Sequence, residues 1–267
     1  MDFKIGVIAD SFRLAPFDGI RKAADMGADG VQVYAVKGDI GPEMPAVRRQ
    51  ELVKLVDSLG LKISALCGDT GRGFASAERN PETLRISKAI VDLAVDVGTK
   101  IVTTHIGTVP ADRANPVYDV MLVACRELAD YAATKGVTFA VETGPEKAPL
   151  LRQFLDEIDS PGLGVNLDPA NLVMCSHDDP VAAVKTLAKY IVHTHAKDGL
   201  PYDPPREDGA RWIELPLGKG GVPWPEYLKA LDSIGYHGFL TIEREVGDDP
   251  AADIGMAMDF LRAHIAA

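Results

Sequence analysis

Cysteine is scarce: the 267-residue chain has three, Cys67, Cys125 and Cys175, with no CxxC spacing among them. Three thiols cannot all pair, which argues against a disulfide framework and for a reducing compartment, the cytoplasm. Basic residues are in deficit, with 28 Lys plus Arg against 39 Asp plus Glu and a formal charge of -11. A chain of that sign repels polyanions, so neither nucleic acid nor an anionic membrane is expected as its main partner. No apolar run approaches the ~18 residues that a membrane span needs. The opening MDFKIGVIAD carries neither the basic start nor the apolar stretch of a secretory signal.

What is present is an ordinary globular composition, 46% hydrophobic and 25% charged. Short apolar, β-branched runs recur at 3–9, 30–34, 61–67, 100–105, 137–142, 162–168, 190–196 and 237–243. Segments of helical period separate them, near 16–27, 45–59, 81–98, 116–134, 148–158, 180–189, 223–234 and 251–264. Asn80-Pro81, Asn115-Pro116 and Asp179-Pro180 each read as an N-cap followed by proline at the first helical position. Gly27, Gly60, Gly98, Gly136 and Gly235 stand where helices should stop. Parallel strands need crossover helices, so the alternation predicts an α/β fold, a single-domain (β/α)₈ TIM barrel over residues 1–267. An open doubly wound sheet is the alternative, but no GxGxxG follows the first strand. The Gly- and Pro-rich stretch 198–222 reads as irregular and would lie over the catalytic face as a lid or substrate loop.

Catalytic side chains of such barrels sit at the C-terminal ends of strands. Those ends hold Cys67 and Asp69, His105, Glu142, Asp168, His195 and Glu243. Glu142, Asp168, His195 and Glu243 close four successive strands and should converge from one side of the mouth. Three carboxylates together repel one another unless a positive charge lies among them, and an imidazole beside them points to a divalent metal. An oxygen-rich set with one nitrogen favours Mn²⁺, Mg²⁺ or Co²⁺, with Zn²⁺ still allowed. His193, two residues deeper than His195, reads as a core histidine with a satisfied partner. The GKGG run at 218–221 lacks phosphate-loop spacing and reads as turn chemistry. Cys67 has no identifiable base beside it and is not taken as a nucleophile.

VETGP around Glu142, NLDPANL around Asp168, HTHAKDG around His195 and TIERE around Glu243 stand in a telling order. With LPLGKGGVPWPEYL at 215–228, the whole length resembles the sugar-phosphate isomerase/epimerase superfamily of xylose-isomerase-like barrels. The resemblance implies one divalent metal bound by Glu142, Asp168, His195 and Glu243, and a homodimer or tetramer. It also implies a sugar or polyol-derived substrate, unphosphorylated or phosphorylated. Where ketose epimerases commonly carry a histidine three residues after the metal-binding aspartate, this chain has Asn171. Asn171, His105, Lys197 and Arg206 are the substrate-binding candidates.

The expected activity is an isomerase or epimerase moving a proton next to a carbonyl through a cis-enediolate, with Glu142 and Glu243 as acid/base pair. The alternative is a metal-dependent dehydratase of the inosose or dehydroshikimate type, with His105 or Lys197 as the acid. A non-catalytic sugar-binding barrel is a third reading, disfavoured because binding alone does not need two carboxylates flanking a metal.

Overall fold

In the computed structural model, which describes residues 1–266, the chain begins with strand β1 (Lys4–Ile8), β2 (Gly30–Tyr34), β3 (Lys62–Cys67) and β4 (Ile101–Thr104). It continues with β5 (Thr138–Glu142), β6 (Leu163–Leu167) and β7 (Ile191–Ala196). Two short strands follow, β8 (Asp198–Pro201) and β9 (Trp212–Leu215), and then β10 (Phe239–Ile242). All except β8 and β9 pair in parallel and close a barrel in which β1 lies between β2 and β10. The predicted (β/α)₈ architecture is the observed one.

Eight long helices surround the strands: α1 (Pro16–Asp25), α2 (Ala46–Ser58), α3 (Asn80–Val97), α4 (Pro116–Thr134), α5 (Ala148–Ile158), α7 (Pro180–Leu187), α8 (Trp224–Ser233) and α9 (Pro250–Ile265). Between β6 and α7 lie the three-residue α6 (Pro169–Asn171) and a π turn, Leu172–Ser176. The start signals hold at two of the three sites read from sequence. Asn115 accepts from the Val117 amide at 3.0 Å and Asp179 from the Val181 amide at 2.8 Å. Asn80 is a correction: it is the first residue of α3, and its amide donates instead to the Phe74 carbonyl at 2.9 Å. A buried carbonyl in the preceding loop outcompetes the helix end for that side chain.

The second correction concerns 198–222. Rather than being irregular throughout, it contains the antiparallel hairpin β8–β9, with Asp198 opposite Leu215 and Pro201 opposite Trp212. Asp198 anchors it. One carboxylate oxygen accepts from the amides of Gly199 (2.9 Å) and Val222 (3.1 Å), the other from Gly218 (2.9 Å) and the Trp224 indole (3.0 Å). A Cβ on Gly220 would collide with Asp198 Oδ1 and the Gly199 amide, so this turn requires glycine. That is the turn chemistry expected of the GKGG run.

Candidate metal centre

The barrel interior carries a polar layer beneath its mouth. His193 Nδ1 lies 2.9 Å from Asn166 Oδ1, and its Nε2 lies 3.0 Å from Thr241 Oγ1. Burial, then the neighbouring His195, hold the His193 ring well below its ordinary pKa, as expected of a neutral, satisfied core histidine. Strand alternation carries the same inward face up to the next pleat, where Asp168, His195 and Glu243 follow Asn166, His193 and Thr241.

At that level Glu142, Asp168, His195 and Glu243 converge. All four are buried, and each offers a ligand atom within 4.8 Å of the others. His195 Nδ1 lies 3.3 Å from Glu142 Oε1, 3.7 Å from Asp168 Oδ2 and 3.2 Å from Glu243 Oε2. Asp168 Oδ1 caps α6 through the amides of Ala170 (2.7 Å) and Asn171 (3.0 Å), while Oδ2 is buried without a hydrogen-bond partner. A buried carboxylate oxygen left without a donor is costly. Its position beside two further carboxylates and an imidazole nitrogen fits a divalent cation. This cluster could therefore hold one metal ion.

A supporting set fixes these side chains. His195 Nε2 lies 3.1 Å from both Gln32 Oε1 and Asn166 Nδ2, contacts that hold the ring with Nδ1 turned to the cluster. Asn166 Nδ2 donates to Glu142 Oε2 at 3.2 Å, and Asn171 Nδ2 to Glu142 Oε1 at 3.3 Å. Burial works against charge on His195, but Glu142 and Glu243 outweigh it and hold the imidazole well above its usual pKa. Burial likewise pushes Glu243 up, yet Lys197 and His195 pull it below the ordinary carboxylate range.

A cavity of about 580 Å³ opens over the cluster. His105 lines it, with Nδ1 2.9 Å from Asp69 Oδ2 and Nε2 3.5 Å from Glu142 Oε1. The Glu142 charge pushes the His105 pKa up to about 9, against the opposing effect of burial. Lys197 also lines the cavity; its Nζ lies 3.2 Å from Glu243 Oε2 and 2.6 Å from Glu245 Oε2. Asn171 reaches the cavity too, but its amide donor is engaged by Glu142 and the Thr143 carbonyl, so only its side-chain oxygen is without a partner among the described residues. Arg206 is not brought here. It sits at the hairpin tip, ion-paired with Asp208 at 3.0 Å and stacked over the Tyr202 ring. Trp212 lines the cavity whereas Trp224 is core. Cys67 also lines it, and burial raises its thiol pKa, which suits no nucleophile.

Three participants escaped the sequence reading. Gln32 is an uncharged polar residue in an otherwise apolar strand, GVQVY, and that break in pattern was the available signal. Glu214 of the hairpin and Arg244 after β10 pair at 2.7 Å, both nearly buried, and tie the hairpin to the barrel rim. Nothing in their local sequence marks that contact.

A family model for the xylose isomerase-like TIM barrel matches residues 20–264. The chain belongs to this family. The xylose isomerase-like barrel is 27% identical over 226 residues to a 2-epi-5-epi-valiolone 7-phosphate 2-epimerase of Actinoplanes sp., a match covering 79% of this chain and 77% of that protein. It is 24% identical over 268 residues to an L-ribulose-5-phosphate 3-epimerase of Salmonella paratyphi A, covering 92% and 89%. These epimerase relatives fit the sugar-phosphate isomerase/epimerase superfamily. Matches to uncharacterized proteins of Methanocaldococcus jannaschii and Escherichia coli span only 57% and 64% of those proteins' lengths. Among solved structures, a xylose isomerase domain protein from Planctomyces limnophilus superposes with TM-score 0.86 at 29% identity, covering 99% of this chain and 98% of that one. A probable 3-DHS dehydratase from Bacillus anthracis gives 0.80 at 20%, covering 97% and 99%. A family barrel from Mycobacterium smegmatis in complex with magnesium gives 0.76 at 20%, covering 99% and 97%; at these identities the last two show the shared fold. Among the described residues, no helix is long and apolar enough to cross a membrane.

Proposed function

We propose that the chain is a divalent-metal-dependent epimerase or isomerase acting on a small sugar or polyol-derived ketose, phosphorylated or not. The observation that carries this reading is the orphaned Asp168 Oδ2 within a buried Glu-Asp-His-Glu set, three of whose members line a cavity. Glu142, Asp168, His195 and Glu243 would hold the ion. Bound there, a divalent cation supplies fixed positive charge that stabilises negative charge developing on a carbonyl oxygen.

The chain's own groups account for the rest. Glu142 and Glu243 reach the cavity from strands on different sides of the cluster, so each can serve one face of a substrate carbon as base or acid. Proton removal by one carboxylate and return by the other inverts the carbon; return to the neighbouring carbon interconverts aldose and ketose. Lys197 and His105 flank the two glutamates and can hydrogen-bond substrate oxygens. The named epimerases among the relatives support this reading.

A lyase reading rests on the same two side chains. Either could protonate a β-hydroxyl as it leaves, which would give dehydration instead of proton return. Metal analysis joined to a deuterium-exchange screen over ketoses, inososes and their phosphates tests both. Exchange that depends on bound metal, with the carbon skeleton intact, is expected. Loss of water identifies the lyase, and full activity after verified metal removal overturns the metal centre.

A further inference from the structure

The cavity over the cluster is bordered by a second, more open pocket. The two share Met174, Cys175 and Trp212, and the second chamber, of about 800 Å³, lies on the side of the hairpin and the π turn. A pocket of ~300–1,000 Å³ already holds a drug-sized ligand, so a free pentose or hexose at the metal would leave this second chamber unfilled. Its walls are built from specific elements. The π turn Leu172–Ser176 supplies Met174 and Cys175, and π turns recur at functional sites. His177 closes that turn in a left-handed conformation, φ 49°, and also lines the chamber. Trp212, 46% exposed, stands at the junction of the two spaces.

The chemistry of the second chamber differs from that of the first. An indole offers a flat apolar face, the kind of surface on which the C–H face of a sugar ring stacks. Arg211 lines the chamber and makes no side-chain hydrogen bond or ion pair among the described residues. Arg211 is a pure donor, Asp203 an acceptor, and His177 can be either. Hydroxyl groups need that mixture, whereas a phosphate dianion would be repelled by Asp203 and by the carboxylates of the neighbouring cavity. We propose that this chamber is a subsite for a second sugar ring, linked to the ketose that reacts at the metal. The inference rests on the function proposed above and narrows its substrate class to a ketose carrying another glycosyl unit.

The chain has two tryptophans, and Trp224 is buried at 2% exposure, so changes in indole emission on ligand binding report chiefly on Trp212. The metal-loaded protein is titrated with maltulose, isomaltulose, lactulose and turanose, and separately with fructose, ribulose 5-phosphate and inorganic phosphate. At least one disaccharide should perturb Trp212 with a Kd ~10-fold or more below that of fructose. Arg211→Ala should weaken disaccharide binding more than fructose binding, and Trp212→Phe should remove the signal while calorimetry still detects the ligand. Fructose binding as tightly as every disaccharide overturns the subsite. So does phosphate, free or on the pentulose, binding more tightly than every disaccharide in an Arg211-dependent way. Deuterium exchange in the same samples separates the two inferences. A disaccharide preference without exchange keeps the subsite and removes the proposed reaction; exchange without that preference does the reverse.

Discussion

Gln32 is worth more than its place in the sequence suggests. Its Oε1 lies 3.1 Å from His195 Nε2 and its Nε2 donates to Thr103 Oγ1 at 3.3 Å, so it offers the imidazole an acceptor and fixes its tilt. Replacing it with leucine keeps the volume and removes the acceptor. We expect Gln32→Leu to lower divalent-metal affinity by ~10–100-fold with the barrel intact, measured by competition with a fluorescent chelator. Glu146, in the loop after β5, makes a different point. It is 6% exposed with Oε2 unpartnered, and burial pushes its carboxyl from 4.5 up to about 7 against the backbone amides that oppose it. The folded chain therefore holds a proton that the unfolded chain releases between those values. Stability is greatest below the lower value and falls as pH rises to the upper one, by on the order of 3 kcal/mol. Glu146→Gln should be more stable than the parent at pH 8 and nearly equal to it at pH 4, read from urea midpoints; equal midpoints at pH 8 would refute the assignment. Neither residue was legible in advance. Gln32 acts across the barrel on a histidine 163 positions away, and a glutamate after VETGP looks like any solvated loop acid until the loop folds over it.

At the scale of elements, the strands and long helices were legible because two periods, 2 and 3.6, write themselves into the pattern of apolar residues. Gly27, Gly60, Gly98, Gly136 and Gly235 all take positive φ, so the stop signals were read correctly. The hairpin β8–β9 was not legible. Its strands have four residues each, DGLP and WIEL, too short to show a period, and Asp198 fixes them by gathering four donors from residues up to 26 positions away. The three-residue α6 was hidden likewise, since its cap is Asp168, which the sequence marks as a metal ligand and not as a helix start. Gly220→Ala tests the anchor, because the new methyl cannot coexist with Asp198 Oδ1 and the Gly199 amide. Overpacking of this kind costs about 1–3 kcal/mol. We expect that loss in chemical denaturation, together with faster proteolysis within 202–211 and little change in metal binding.

Across the whole molecule, Glu142, Asp168, His195 and Glu243 are separated by as many as 101 positions, yet alternation of strands and helices was enough to predict that they meet. The barrel rule supplied the convergence and side-chain parity supplied the direction. What parity could not supply was how each carboxylate disposes its two oxygens: Glu142 turns Oε1 to the cluster and Oε2 to Asn166, Asp168 turns Oδ2 to the cluster and Oδ1 to a helix cap, and Glu243 turns the same Oε2 to both His195 and Lys197. That disposition decides whether a glutamate is a ligand only or also a base. The measurement that reaches it most directly is deuterium wash-in from each member of an epimer pair, followed by proton NMR, on metal-loaded Glu142→Gln and Glu243→Gln. Glutamine keeps the size and one carbonyl oxygen but not the charge or the proton-accepting ability. We expect both variants to stay folded and to retain metal at high concentration while turnover falls by at least ~10²-fold, each blocking exchange from one epimer more severely than from the other. Near-normal exchange from both epimers in a metal-loaded variant would contradict the assignment of that glutamate as the proton carrier.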